Sequence, residues 1–216
     1  DHINGWHVDG LDYNTYNDNG GFTTGYRNML YLKTDGIRYM TNSSARNMGF
    51  HGVRVDGNNS TNPVLYIWDS TFADNKINGV FAFKGATVWA DNVRAINNVG
   101  KGFSARSNKS LDDTSTHETT MYVSNSIASG NGSSGFSAFE KDAIMYVSNS
   151  IASDNDVHGF YAQYGGTMYV SDSSASGNVG TGIRSHGLGS TLYARDSTSS
   201  GSREWNGLNA SFGGHM

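Results

Sequence analysis

The stretch "MYVSNSIASGN" at 121–131 returns almost verbatim as "MYVSNSIASDN" at 145–155 and, loosened, as "MYVSDSSASGN" at 168–178. Self-similarity at a fixed period marks a repeat architecture, in which each unit buries its apolar side only against its neighbours. Read outward from these copies, the unit is an apolar-aromatic-apolar strand, then Asn or Asp, then Ala-x-x-Asn, then Gly-apolar-x-Ala. Its glycine falls at Gly52, Gly79, Gly102, Gly135, Gly159, Gly182 and, with one inserted residue, Gly207, in steps of 27, 23, 33, 24, 23 and 25. "GWHV" from Gly5 is an earlier copy, so the sequence predicts about eight rungs with a period of about 23–24 residues.

Two short alternating strands recur in every rung. The first reads "LYI", "VWA", "MYV" three times and "LYA"; the second reads "GVRV", "GVFAF", "GFSAR", "GFSAF", "GFYAQ", "GIRSH" and "GLNAS". Alternation sends successive side chains to opposite faces. No helical pattern of useful length lies between the strands, which excludes a crossover α/β sheet. The expected fold is all-β: a right-handed parallel β-helix in which rungs pair at roughly 4.8 Å. One inward ladder is then Val53, Val80, Phe103, Phe136, Phe160, Ile183 and Leu208, and a second is Ile67, Ala90, Val123, Val147, Val170 and Ala194. The ladder Asn75, Asn98, Asn131, Asn155 and Asn178 is expected at a bend, where Asn tolerates left-handed dihedrals and bonds neighbouring backbone. The chain reads as one domain, with irregular N-terminal rungs over 1–35 and a regular β-helix over 36–216.

Composition agrees with an elongated array. Only 36% of the 216 residues are hydrophobic, low for a compact globule, while 28 Gly, 12 Tyr, 10 Phe and 4 Trp argue for a turn-rich but folded chain. The net charge of −4, with no basic block, argues against a nucleic-acid partner. Without Cys there are no disulfides or thiol chemistry. No apolar run approaches membrane-spanning length, so no membrane insertion is expected. The opening phrase "NGWHV" lies inside a repeat-like unit, which fits a piece of something longer.

The "MYVSNSIASGN…GFSA" unit and its copies resemble the right-handed β-helices of the pectate-lyase-like superfamily, and most closely the short Ser/Asn/Gly-rich coils of bacteriophage tailspikes and tail fibres. The resemblance implies a homotrimer on a virion, or otherwise extracellular, that recognises or depolymerises a bacterial surface polysaccharide. It implies no cofactor. A secreted polysaccharide lyase or epimerase, or a non-catalytic adhesin, are the other activities such a coil supports.

Outward-facing positions carry the functional candidates, because the fold itself hosts many activities. One aromatic per rung forms a file of Tyr39, Tyr66, Trp89, Tyr122, Tyr146, Tyr169 and Tyr193, a stripe roughly 30 Å long by strand separation. It reads as an oligomer interface through Tyr66, Trp89, Tyr122, Tyr146, Tyr169 and Tyr193, as a platform for sugar rings, or as plain exposed stacking. The second strand presents a more varied set. Phe81, Phe83, Arg106, Phe139, Tyr161, Arg184 and His186 are the candidate glycan-binding residues, with Arg54 and Gln163 beside them, since aromatics next to cations suit an acidic or N-acetylated polysaccharide.

The 33-residue step holds an insertion over 106–118 within "RSNKSLDDTSTHET" at 106–119. Asp112, Asp113 and Glu118 from it, with Glu140, are the candidate catalytic carboxylates. A calcium site at Asp112 and Asp113, or a solvated loop, are the competing readings. "GNGSSG" at 130–135 matches a dinucleotide fingerprint only in letters, because a strand follows it instead of a helix. His51 and His158 share a rung position but lie four rungs apart, about 19 Å, too far to share a metal.

Overall fold

The computed structural model describes residues 2–9, 14–17, 21–24, 28–58, 61–109, 117–203 and 207–216. Among them there is no helix; 24 strands stack into a right-handed parallel β-helix. One face is a sheet built from Leu30–Leu32, Val53–Asp56, Val80–Phe83, Phe103–Arg106, Phe136–Phe139, Phe160–Gln163, Ile183–His186 and Leu208–Ser211, each parallel to the next. It carries the varied outward positions that the sequence marks as a candidate groove, and is called the groove face. A second face stacks the aromatic strands from His2–Asn4 to Thr191–Arg195, eight deep and thus about seven turns. A third carries the short Ile127–Ser129, Ile151–Ser153 and Ser174–Ser176 strands. At Val64–Ala73 and Thr87–Ile96 one ten-residue strand runs through both the second and third faces.

Residues near the N-terminus join the stack. His2–Asn4 and His7–Asp9 pair in parallel with Ile37–Thr41 and Ser44–Arg46. Asn14–Asn17 adds in parallel to Leu30–Leu32 and turns back as an antiparallel hairpin with Gly21–Thr24.

Both expected apolar ladders are in register. Val53 pairs with Val80, Val80 with Phe103, and so on through Phe136, Phe160 and Ile183 to Leu208. Ile67, Ala90, Val123, Val147, Val170 and Ala194 align likewise. The rings of Phe103, Phe136 and Phe160 stack inside at 5.0 Å between successive centroids. All three are fully buried, whereas Leu208 is 58% exposed because no further rung covers it.

Three corners close each rung, and left-handed residues shape them. Between the second and third faces stand Asn42, Asp69, Asn92, Asn125, Asn149, Asp172 and Asp196, with φ between 48° and 52°. After the third face stand Asn47, Asp74, Asn97, Gly130, Asp154 and Gly177, again at positive φ. Asn and Asp tolerate this region better than other side chains, and Gly does so freely. The left-handed dihedral expected at Asn75, Asn98, Asn131, Asn155 and Asn178 is therefore one residue earlier. The ladder asparagines themselves point inward and do another job.

Each of those five is buried. The Nδ2 of Asn98 donates to Oδ1 of Asn131 at 2.9 Å and to the carbonyl of Phe72 at 3.1 Å. Asn131 repeats this toward Asn155 and Ala95, and Asn155 toward Asn178 and Ala128. Backbone N–H groups of one rung also donate to the amide oxygen of the next. In Asn98, Asn131 and Asn155 both amide hydrogens and the amide oxygen thus find partners, as burial demands. The same amides explain the repeat glycine. A Cβ on Gly102 would meet the Gly135 carbonyl at 2.7 Å, Ala128 Cβ at 2.8 Å and Asn131 Nδ2 at 3.1 Å. Gly is required there by close approach.

The residue before that glycine bridges rungs as well. His51 Nδ1 accepts from the Asn78 N–H, Asn78 Oδ1 accepts from the Lys101 N–H, and His158 Nδ1 accepts from the Thr181 N–H. Burial, then the nearby Arg54, holds His51 down at about 3, and burial, then Arg184, holds His158 at about 4.

Two expectations follow for stability. Asn131→Ala strands the Asn98 amide and the Ala95 carbonyl, so it lowers stability by roughly 3 kcal/mol, and Gly102→Ala lowers it by about 2 kcal/mol through overpacking; denaturant midpoints check both, and an unchanged midpoint for Asn131→Ala refutes the ladder's role. The unfolded chain protonates its histidines below pH 6.5 while the fold keeps His51 and His158 neutral to about 3 and 4. Stability is therefore full above pH 6.5 and falls as pH drops toward 4, by about 1.4 kcal/mol per unit for each histidine. His51→Asn, which copies the natural Asn78, flattens that slope in pH-dependent unfolding.

Candidate functional site

The outer side of the groove face gathers most of the varied residues. Strand alternation points Arg54, Phe81, Ser104, Ser137, Tyr161 and Arg184 outward in one column, and Asp56, Phe83, Arg106, Phe139, Gln163 and His186 in the next. Three clusters divide its length of roughly 24 Å.

The first is closed upon itself. Arg54 grips Asp56 through two bonds of 2.7 and 2.8 Å, and Tyr31 donates to the same carboxylate at 2.8 Å. The Arg54 guanidinium lies over Tyr31, Phe81 and Phe83. His51 stacks on Phe81 at 4.7 Å, leaving Phe81 only 9% exposed. Phe81 contributes packing here and Phe83 more of the open surface.

The middle cluster is polar and open. Arg106 binds Glu140 through Nη2–Oε1 at 2.9 Å and Nε–Oε2 at 3.2 Å, and its guanidinium lies 4.8 Å from the Phe139 ring centre. Lys101 Nζ lies 5.1 Å from that same centre. Burial, then Arg106, pushes the Lys101 ammonium down to about 8 against an opposing pull from Glu140. Beneath them Ser104 and Ser137 form a small-residue floor, with Gln163 Nε2 donating to Ser137.

The third cluster is aromatic and imidazole-rich. His158 meets Tyr161 edge-on at 4.5 Å, and Arg184 lies 5.7 Å over the Tyr161 ring. Arg184 also touches His158 and His186 at 3.0 and 3.2 Å. Burial raises the Tyr161 hydroxyl, while burial and then Arg184 lower His186. Tyr164, 53% exposed, packs edge-on against Phe139 and joins the two clusters.

Of the four carboxylates expected for catalysis, Glu118 and Glu140 lie among the described residues, each in the corner that leads into a second-face strand. Glu140 is held by Arg106. Glu118 stands exposed ahead of Thr119–Ser124 on the second face, where its charge contributes to raising Tyr146, after burial and the neighbouring tyrosines. Asp112 and Asp113 lie outside the described residues. The base of the insertion is anchored by Lys109, which pairs with Asp142 at 3.1 Å. Among the described residues no group of three or more His, Asp or Glu could hold a metal ion.

The aromatic file forms on the second face as read from the sequence. Tyr122, Tyr146, Tyr169 and Tyr193 stack in sequence at 4.9 Å with planes within 12° of parallel, and Trp89 meets Tyr122 at 3.8 Å. Each ring face is thereby turned to its neighbour, and edges and hydroxyls look outward. Beside the file run two hollows of about 330 and 550 Å³ that share Tyr146 and Ser148.

Lys101, Ser104 and Ser137 were missed by sequence reasoning. Lys101 has one available signal: it breaks the His, Asn, Ser, Thr series at the position before the repeat glycine.

No family profile and no curated protein matches the chain. Among solved structures it is similar to the A-module of the Azotobacter vinelandii mannuronan C-5 epimerase AlgE4, with a TM-score of 0.53 and 15% identity over 91% of this chain and 67% of that one. At that identity the likeness establishes the shared β-helix fold.

Proposed function

We propose that the chain is a polysaccharide-binding β-helix that lays an acidic glycan along the outer groove face. The observation carrying this is a local reversal of charge. In a chain of net charge −4, that face gathers Arg54, Lys84, Lys101, Arg106 and Arg184 against Asp56 and Glu140. Aromatic surface lies between the cations, as sugar rings and carboxylates together require. The neighbouring fold's action on mannuronan supports the same ligand class.

The repeat's resemblance to tail-fibre coils extends the reading to an extracellular or virion-borne module that engages a bacterial surface polysaccharide as a homotrimer. The file supports that assembly, because ring edges with hydroxyls suit protein packing better than sugar stacking, and packing there leaves the groove face open. A lyase or epimerase is the second reading. It is favoured by Lys101, an amine held at about 8 and hence a usable base near neutral pH.

Affinity electrophoresis in polymannuronate and in dextran tests the first reading. The acidic polymer retards the protein, less so at high salt, and Phe139→Ala and Tyr161→Ala each weaken binding by about tenfold while Tyr169→Ala does not. Equal retardation by dextran refutes it. Mass in solution separates a trimer from the 23.3 kDa protomer, and turnover of polymannuronate to unsaturated or C5-inverted product marks the enzyme.

A further inference from the structure

The middle cluster holds two cations and one carboxylate. Arg106 and Lys101 both approach the Phe139 ring, at 4.8 and 5.1 Å, and among the described residues Glu140 is the carboxylate that answers them. The excess positive charge sits over outward-facing serines that are themselves nearly buried, Ser104 and Ser137. One rung beyond Lys101 on the same turn, the buried Ser134 hydroxyl has no partner among the described residues.

Glu140 stands at the corner after its groove-face strand, where Lys84 and Tyr164 at the equivalent positions are also left-handed, so its φ of 75° belongs to the corner and leaves its side chain free to exchange partners. The ion pair it makes is open to solvent on the arginine side, with Arg106 43% and Glu140 18% exposed. Such pairs contribute about 0–1 kcal/mol. An external carboxylate that reached Arg106 in the same bidentate fashion would also meet Lys101, which Glu140 only partly satisfies.

Resting on the acidic-glycan reading above, we propose that Glu140 is an internal stand-in for the ligand: it fills the Arg106 fork when the groove is empty and yields to a sugar carboxylate that bridges Arg106 and Lys101. This makes Lys101 the residue that selects acidic over neutral sugars. It makes Glu140 a brake on binding.

Calorimetry on the full chain with polymannuronate and with dextran decides it. Glu140→Gln removes the competing charge at constant shape and tightens polymannuronate binding by roughly tenfold, the worth of one charge-assisted bond. Glu140→Asn, whose side chain suits positive φ, does the same and guards against misfolding of the first variant. Lys101→Met weakens the acidic polymer by a similar factor. Dextran responds to none of them. If the Glu140 variants bind polymannuronate as the native chain does or more weakly, Glu140 merely positions Arg106 and the stand-in idea falls. If Tyr161→Ala loses binding while Lys101→Met retains it, the acidic reading survives and the carboxylate subsite falls. If the native chain binds neither polymer, the acidic-glycan reading fails, and the subsite with it.

Discussion

The structure depends on one contact repeated along the axis: a buried Asn amide of one rung seated over the bare Cα of the glycine in the rung before it. Asn98 sits over Gly79, Asn131 over Gly102, Asn155 over Gly135 and Asn178 over Gly159, each amide nitrogen within 3.1 Å of where a Cβ would stand. The contact joins two requirements that a thin solenoid must meet together. The amide closes the corner's hydrogen bonds without water, and the glycine lets successive rungs approach closely enough for the ladders to pack. With 36% apolar residues, the chain has little hydrophobic surplus with which to tolerate an unsatisfied corner.

That contact also explains why so much was legible in the sequence. A one-residue slip would put Tyr122 inside and Val123 outside, so alternation fixes facing, and the Asn-to-Gly interval fixes phase. Every rung pairing inferred from the phrases at 121, 145 and 168 is found at the stated partners. The corners were harder. "SNS" and "SDS" mark a left-handed Asn or Asp plainly once the corner is known, but in "ASGN" and "ASDN" both of the last two residues tolerate that conformation. Only the buried amide bonds show that the second one turns inward.

The site was legible in class and not in detail. Outward positions of the second strand follow from period two, so Phe83, Arg106, Phe139, Tyr161, Arg184 and His186 could be placed on one face. Who pairs with whom could not. The Arg106–Glu140 bond spans the 33-residue step and joins a strand residue to a corner residue of the next rung, a pairing that period two alone does not give. Lys101 escaped because it belongs to the turn before the strand, where other rungs carry His, Asn, Ser or Thr.

The two faces differ in what their aromatic rings leave free, and the proposed function gives them different work. On the file, identical residues in adjacent rungs spend ring faces on each other, since side chains in register at strand spacing sit near the stacking distance. A regular surface is the price of that self-stacking, and it offers the same contact at every level. On the groove face serines separate the aromatics along the first column, Phe81 being followed by Ser104 and Ser137 before Tyr161. Rings there meet cations and imidazoles in place of one another. Interrupting the aromatic ladder is what creates distinct positions along the axis, and the proposed glycan would need such positions in order to bind in one register.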